Sequence, residues 1–297
     1  MDATCLEYRL TEDERRQFDE QGYLVVEDAI PPLLVEDLTA VVDRVDSQFG
    51  VLQGKDAPSG FRMVIDFIGK DELFLELLDW SRTFAKVWGI LGWHIQLYHS
   101  VLIVTPPRPS GERASKQRLI WPQDSGRLNN DLETKPRPRI SLKVAYFLTD
   151  TTAPNRGNLQ VIPGSHLRSR LPIADPDHPA PIPDAAFTDD GVSDPQGAMP
   201  IRVPAGTAVL FDRRLWHAPG INRSDITRKV LFYGYSYRWL RPRDDMTVDH
   251  MMDRCDPIRQ QLLGKSSSGH AYTSPKGEDV PLRMWIREHL GDDAVVP

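Results

Sequence analysis

Apolar residues follow two different rhythms along this chain, and the change between them divides it. Thr11, with Glu14 three residues later, has the spacing of a capping box and opens a short polar helix running to about Gln21, where Gly22 ends it. "YLVVEDAI" then reads as a strand. Pro31 and Pro32 stand at the start of a longer helix, and Leu34, Leu38, Val41, Val42, Val45 and Phe49 recur at helical spacing, so one face of it should lie on a sheet. A further helical pattern, "ELFLELLDWSRTFAKVWGIL", predicts a helix over residues 72–91.

From residue 92 the rhythm shortens. "HIQLYHSVLIV", "ISLKVAYFL", "NLQVIP", "TAVLFD" and "RKVLFYGYSYRWL" are β-branched and aromatic runs separated by Pro, Gly and Asn clusters, which predicts antiparallel strands. Residues 172–200 hold seven prolines and no apolar periodicity, and they read as a surface insertion between strands. Helices followed by many short strands predict a mostly β fold with flanking helices, a double-stranded β-helix of the jelly-roll, cupin-like kind. The expected organisation is one domain over residues 1–297. Residues 11–91 form its mainly helical N-terminal part, 92–240 the jelly-roll core, and 241–297 a C-terminal segment expected to cover the barrel mouth.

Composition narrows the class. A net charge of -6 and a pI near 5.8 argue against a surface built to neutralise phosphates, so no nucleic-acid partner is expected and a small-molecule substrate is. Cys5 and Cys255 are the sole cysteines, which makes a disulfide framework unexpected and a reducing compartment the expectation. The N-terminal residues lack a signal pattern, and no apolar run approaches the roughly 18 residues a membrane helix requires. The expected location is cytoplasmic, with no membrane partner.

Three residues carry the chemistry. Asp124 follows "RLIW" and His217 follows "GTAVLFDRRLW", each at a strand end, so a rolled sheet could bring an oxygen and a nitrogen ligand to one point. Taken singly, such an Asp reads as a turn residue and such a His as a packed core group. Arg228 changes the balance. It lies eleven residues after His217 on the strand returning from the "APGINRSDIT" turn, where a buried guanidinium could grip a dicarboxylate bidentately beside a metal.

The stretches "FDEQGYLVVEDAIPPLLVEDL", "WPQDSGR", "YFLTDTTAPNRGNLQVIPGSHLRS" and "PAGTAVLFDRRLWHAPGINRS", with Arg228, resemble the phytanoyl-CoA dioxygenase family of iron(II)- and 2-oxoglutarate-dependent oxygenases. The resemblance covers about residues 11–240. It implies that Asp124 and His217 supply two of three protein ligands to Fe(II), that Arg228 binds the far carboxylate of 2-oxoglutarate, and that the other end of the oxoacid chelates the metal. It further implies that O2 and 2-oxoglutarate are consumed while a small molecule, expected to be one of specialised metabolism, is hydroxylated or otherwise oxidised.

The departure is at Pro122. The family pattern has His-any-Asp there, and proline offers a cation no lone pair. A three-ligand face of the metal becomes at most two, so iron affinity should fall by at least about 10–100-fold, the cost typical of losing a mere supporting partner. Retention of Asp124 argues against a halogenase. The alternative reading is a pseudo-oxygenase, or inactivated variant, that binds a small molecule without oxidising it. Were "HIQLYHSVLIV" and "RLIWPQD" to pair as a hairpin, residue 99 would fall opposite 123, and His99 could substitute for the missing ligand, line the pocket or bond locally. Arg127, Asn129 and Asn130 stand where a substrate could be contacted, or in a solvated turn. His166 in "PGSH" is expected to order its loop, and His178, His250, His270 and His289 carry no site argument.

Overall fold

The computed structural model describes residues 1–53, 60–108, 121–124, 126–133, 136–168, 195–266 and 269–295. Most of the Pro-rich stretch, His178 and most of the loop after Thr105 lie outside the described residues, as do the side chains of Arg127 and Asn130.

The helical first part forms as its sequence dictates. Helix α1 (Glu12–Gln21) starts on the reciprocal Thr11–Glu14 capping box and stops at Gly22, whose φ of 82° is the left-handed conformation that terminates helices. Strand β1 (Tyr23–Val26) follows, then α2 (Pro32–Phe49), which buries Leu38, Val42 and Val45. Strands β2 (Val51–Gln53) and β3 (Phe61–Ile65) lead to α3 (Leu73–Glu76) and α4 (Ser81–Leu91).

The single helix predicted over 72–91 is therefore broken in two. Leu77 and Leu78 are fully buried, and the carbonyls around them are taken by phenols from the sheet beneath: Tyr233 donates to Phe74 O at 2.8 Å, Tyr235 to Leu78 O at 2.7 Å and Tyr146 to Leu77 O at 3.3 Å. These side chains cap the freed carbonyls and hold the break, a tertiary override that helical periodicity cannot show.

Strand β4 (Ile95–Thr105), helix α5 (Gly126–Asp131) and strands β5 (Ser141–Phe147), β6 (Leu159–Val161), β7 (Met199–Pro200), β8 (Ala208–Asp212), β9 (His217–Pro219) and β10 (Arg228–Tyr237) complete two antiparallel sheets. The large sheet runs β1-β8-β5-β10-β4-β3-β2 and the small one β7-β6-β9, which is the jelly-roll arrangement. Strand parity separates two cores. Leu231, Tyr233 and Tyr235 of β10 face the helices, whereas Val230 and Phe232 join Val101, Ala145, Phe147, Phe211 and Val161 between the sheets.

The C-terminal helices α6 (Pro257–Leu262) and α7 (Pro281–Leu290) bury Leu262, Leu282 and Ile286 in the helix-side core. These helices thus thicken the outer helical layer, whereas Arg243 and Asp244, ahead of them in the same segment, reach His99. Cys5 and Cys255 are buried free thiols, and among the described residues no helix is long and apolar enough to cross a membrane.

Gly22 ties the first helix to the strands that carry the site. Its carbonyl accepts from Asp212 N at 2.9 Å, and a Cβ added there would lie 2.5 Å from His166 Nδ1 and 3.0 Å from Leu215 Cδ1. Gly22→Ala combines left-handed strain with overlap, so it should lower stability by about 1–3 kcal/mol, read as a reduced urea midpoint at unchanged slope.

Candidate functional site

The site rests on a short bracket between two loops. Asp124 N donates to Arg213 O at 2.9 Å, His217 N donates to Pro122 O at 3.2 Å, and the Gln123 side-chain amide donates to Arg214 O at 2.6 Å. Asn129 reinforces it, giving Nδ2 to Asp124 O at 3.0 Å and receiving Arg213 on Oδ1. Asn129 therefore braces the Asp124 loop. The bracket brings Asp124 and His217 together, close enough that each influences the other's ionisation.

Of residues 118–124, expected to pair with β4, 118–120 lie outside the described residues and 121–124 do not pair with it. β10 pairs along β4 from residue 95 to 105 and β3 with Val101–Val104, and residue 99 pairs with Gly234. A different route nonetheless turns His99 inward. Register shifts after Gly234, so that Tyr235 pairs with Leu97 and Tyr98 is the extra residue of a bulge. His99, Gly234, Lys143 and Phe211 consequently form one row across β4, β10, β5 and β8.

Lys143 is the residue that the sequence reading missed. It lies in β5, where every residue is buried, and its Nζ donates to Asp124 Oδ1 at 2.9 Å. The signal was present in "ISLKVAYF": a lysine on the same strand parity as Ala145 and Phe147 points into the barrel. Asp124 Oδ2 is shielded from solvent and has no hydrogen-bond partner.

Ionisation follows from these neighbours. Burial would raise the Asp124 pKa, but the Lys143 ammonium and the His217 ring outweigh it and hold the carboxyl at about 2. Burial pushes the His217 pKa down against the pull of Asp124, and that of His99 down against its bond to Asp244. His217 Nδ1 donates to Leu215 O at 2.8 Å and His99 Nδ1 to Asp244 Oδ1 at 2.6 Å, which leaves the lone pair of each ring on Nε2. The Nε2 of His99 faces Arg243 at 3.5 Å.

A depressed carboxyl contributes stability that is complete above its unfolded value of 3.8 and is lost as pH falls toward about 2. Asp124→Asn should therefore melt below the native protein at neutral pH, by on the order of 2 kcal/mol, with the gap closing between about pH 4 and pH 2. Thermal melts across that range on metal-free protein read the effect.

Arg228 stands six residues along β10 from Gly234, on the same face and opposite Thr105. It is buried, its guanidinium carbon lies 5.6 Å from the Phe147 ring centre, and its Nε has no partner. Thr105 Oγ1 is also buried and unpaired. Burial pushes the Arg228 pKa down to about 10, and among the described residues no acid pairs with it, as expected of a cation that awaits an anion. A carboxylate between Arg228 and Thr105 would satisfy both groups.

The metal side fits less completely. Asp124 and His217 are suitable donors, but among the described residues no group of three His, Cys, Asp or Glu side chains is placed to hold a metal ion. Pro122 is exposed and supplies only its carbonyl, to His217 N. His166 clamps its loop through Nε2 to Asp19 O at 3.0 Å, and His250, His270 and His289 are exposed.

Comparison with known proteins agrees with this architecture. The chain is 31% identical over 135 residues to Dioxygenase trt7 of Aspergillus terreus, covering 43% of this chain and 38% of that protein. It is 24% identical over 242 residues to human peroxisomal phytanoyl-CoA dioxygenase, covering 75% of this chain and 67% of the relative. HygX from Streptomyces hygroscopicus, solved with nickel and 2-oxoglutarate bound, superposes with a TM-score of 0.57 at 16% identity, over 78% of this chain and 89% of that one. The phytanoyl-CoA dioxygenase (PhyH) family pattern matches residues 18–230, from α1 through the strand that carries Arg228, and the chain belongs to that family.

Proposed function

We propose that this chain is an iron(II)- and 2-oxoglutarate-dependent oxygenase of small molecules whose metal triad is reduced to two protein ligands at Pro122. One observation carries the reading: a carboxylate and an imidazole converge in the same barrel that buries an arginine with no counter-ion among the described residues. Asp124 and His217 would hold the metal, and Arg228 with Thr105 would hold the far carboxylate of the oxoacid. When bound, iron and 2-oxoglutarate supply O2 activation, so that a substrate is oxidised as succinate and CO2 are released. Val101, Ala145, Phe147 and Phe232 keep water from that space, and Asn129 and Arg213 fix Asp124 from behind. Names of relatives support the class: one is called a dioxygenase, and HygX was solved with 2-oxoglutarate.

A second reading follows from the Lys143 contact with Asp124, which already compensates the carboxylate. In that reading the chain binds a dicarboxylate and oxidises nothing. Succinate production separates the two. Purified protein given iron(II), 2-oxoglutarate and O2 turns over under the first reading, slowly as it stands and faster as Pro122→His; a chain that makes no succinate in either form is the binding protein.

A further inference from the structure

Lys143 is a buried charge to which the oxygenase reading gives no task. Its ammonium faces the Asp124 carboxylate at 2.9 Å and the Phe232 ring at 5.9 Å, and Lys143 shares a row of the sheet with His99. Gly234 lies between His99 and Lys143 in the row and contributes no side chain, so nothing from β10 separates the imidazole from the ammonium.

A buried carboxylate requires a compensating cation, and this barrel offers two solutions, a divalent ion or a lysine. They exclude one another, because like charges within about 4–6 Å are strongly disfavoured in such a site. We propose that Lys143 is an internal counter-ion occupying a divalent metal's electrostatic place on Asp124, so that metal enters this chain's site by displacing its ammonium. The proposal rests on Asp124 and His217 being the metal ligands.

Pro122 and Lys143 then act in the same direction. Loss of an imidazole at 122 weakens the metal's side of the exchange, while the 2.9 Å ion pair strengthens the metal-free side. Without metal, the Lys143 ammonium already compensates the largely buried Asp124 carboxylate through this contact. Lys143 is thus a positioning residue that sets the threshold for metal entry.

Cobalt(II) is a suitable probe, since its visible absorption reports ligation directly. Dissociation constants and melting temperatures are measured for the native chain, Lys143→Met and Lys143→Arg, and for the same three in the Pro122→His background. Methionine keeps the apolar stem and removes the charge, whereas arginine keeps the charge. The expected result is cobalt binding at least about tenfold tighter in Lys143→Met than in its parent, in both backgrounds, by relief of like-charge repulsion. Lys143→Arg should bind as weakly as its parent. Without metal Lys143→Met should melt below its parent, and cobalt should recover the difference, a response that a merely structural lysine would not give.

Equal or weaker cobalt binding by Lys143→Met in the Pro122→His background overturns the counter-ion role and leaves the metal-site reading intact. Absence of cobalt binding in all six proteins overturns both.

Discussion

Pro122→His should raise iron(II) affinity by at least about 100-fold and bring coupled succinate formation to a readily measured rate, because it adds a missing ligand and not a supporting one. The backbone tolerates the change. In the bracket that joins residues 122–124 to 213–217, residue 122 contributes its carbonyl, accepting from His217 N, while the amide used is that of Asp124. Proline therefore sits where its missing N–H costs no bracket bond, and a histidine there would lose none. In an extended segment residues 122 and 124 share one side, so the new imidazole emerges beside the Asp124 carboxylate. Iron titration followed by oxygen and succinate assays reads both parts. A histidine variant that folds normally yet binds iron no better than the parent would remove Pro122 as the cause of the impaired triad.

The fold was legible because its elements carry local signals: the Thr11–Glu14 box, the Pro31–Pro32 helix start, and short strands whose parity sorts inner from outer faces. The break at residues 77–80 was not legible, since its cause is three tyrosines that arrive from strands 69 to 159 residues away. Within the site, Asp124, His217 and Arg228 were marked by position at strand ends and by the family resemblance. His99 was placed near the site for the wrong reason. Its neighbour is set by the β4–β10 register and a bulge at Tyr98, neither of which a hairpin count around residue 111 contains. Asp244, which orients His99, lies in the C-terminal segment 145 residues later, so no local pattern links them. Lys143 was visible as a charge in an apolar strand, but its importance depends on which strand faces Asp124, and that is a fact of topology.

Arg228→Met should cut 2-oxoglutarate affinity more than about 100-fold while raising the melting temperature of the ligand-free protein, two effects of opposite sign from one substitution. The first follows from removing the charge that would pair with the far carboxylate in a site screened from water. The second follows from burial: among the described residues Arg228 has no acid partner, its Nε is unpaired, and burial has already pushed its pKa down to about 10. Exchange of a buried charge for a matched apolar side chain commonly stabilises by roughly 1–4 kcal/mol, and methionine would retain the stem that fills the space left by Gly157. Calorimetric titration of 2-oxoglutarate with nickel(II) present, in the Pro122→His background, measures the affinity. Thermal melts without ligand measure the stability, and added 2-oxoglutarate should raise the melting temperature of the parent but not of Arg228→Met. A structural arginine would behave the other way, with Arg228→Met melting lower and binding the oxoacid as before. That pairing would end the assignment of Arg228 as the co-substrate's anchor. Higher stability bought by lost binding would instead mark a position kept for its ligand, at a standing cost to the empty protein.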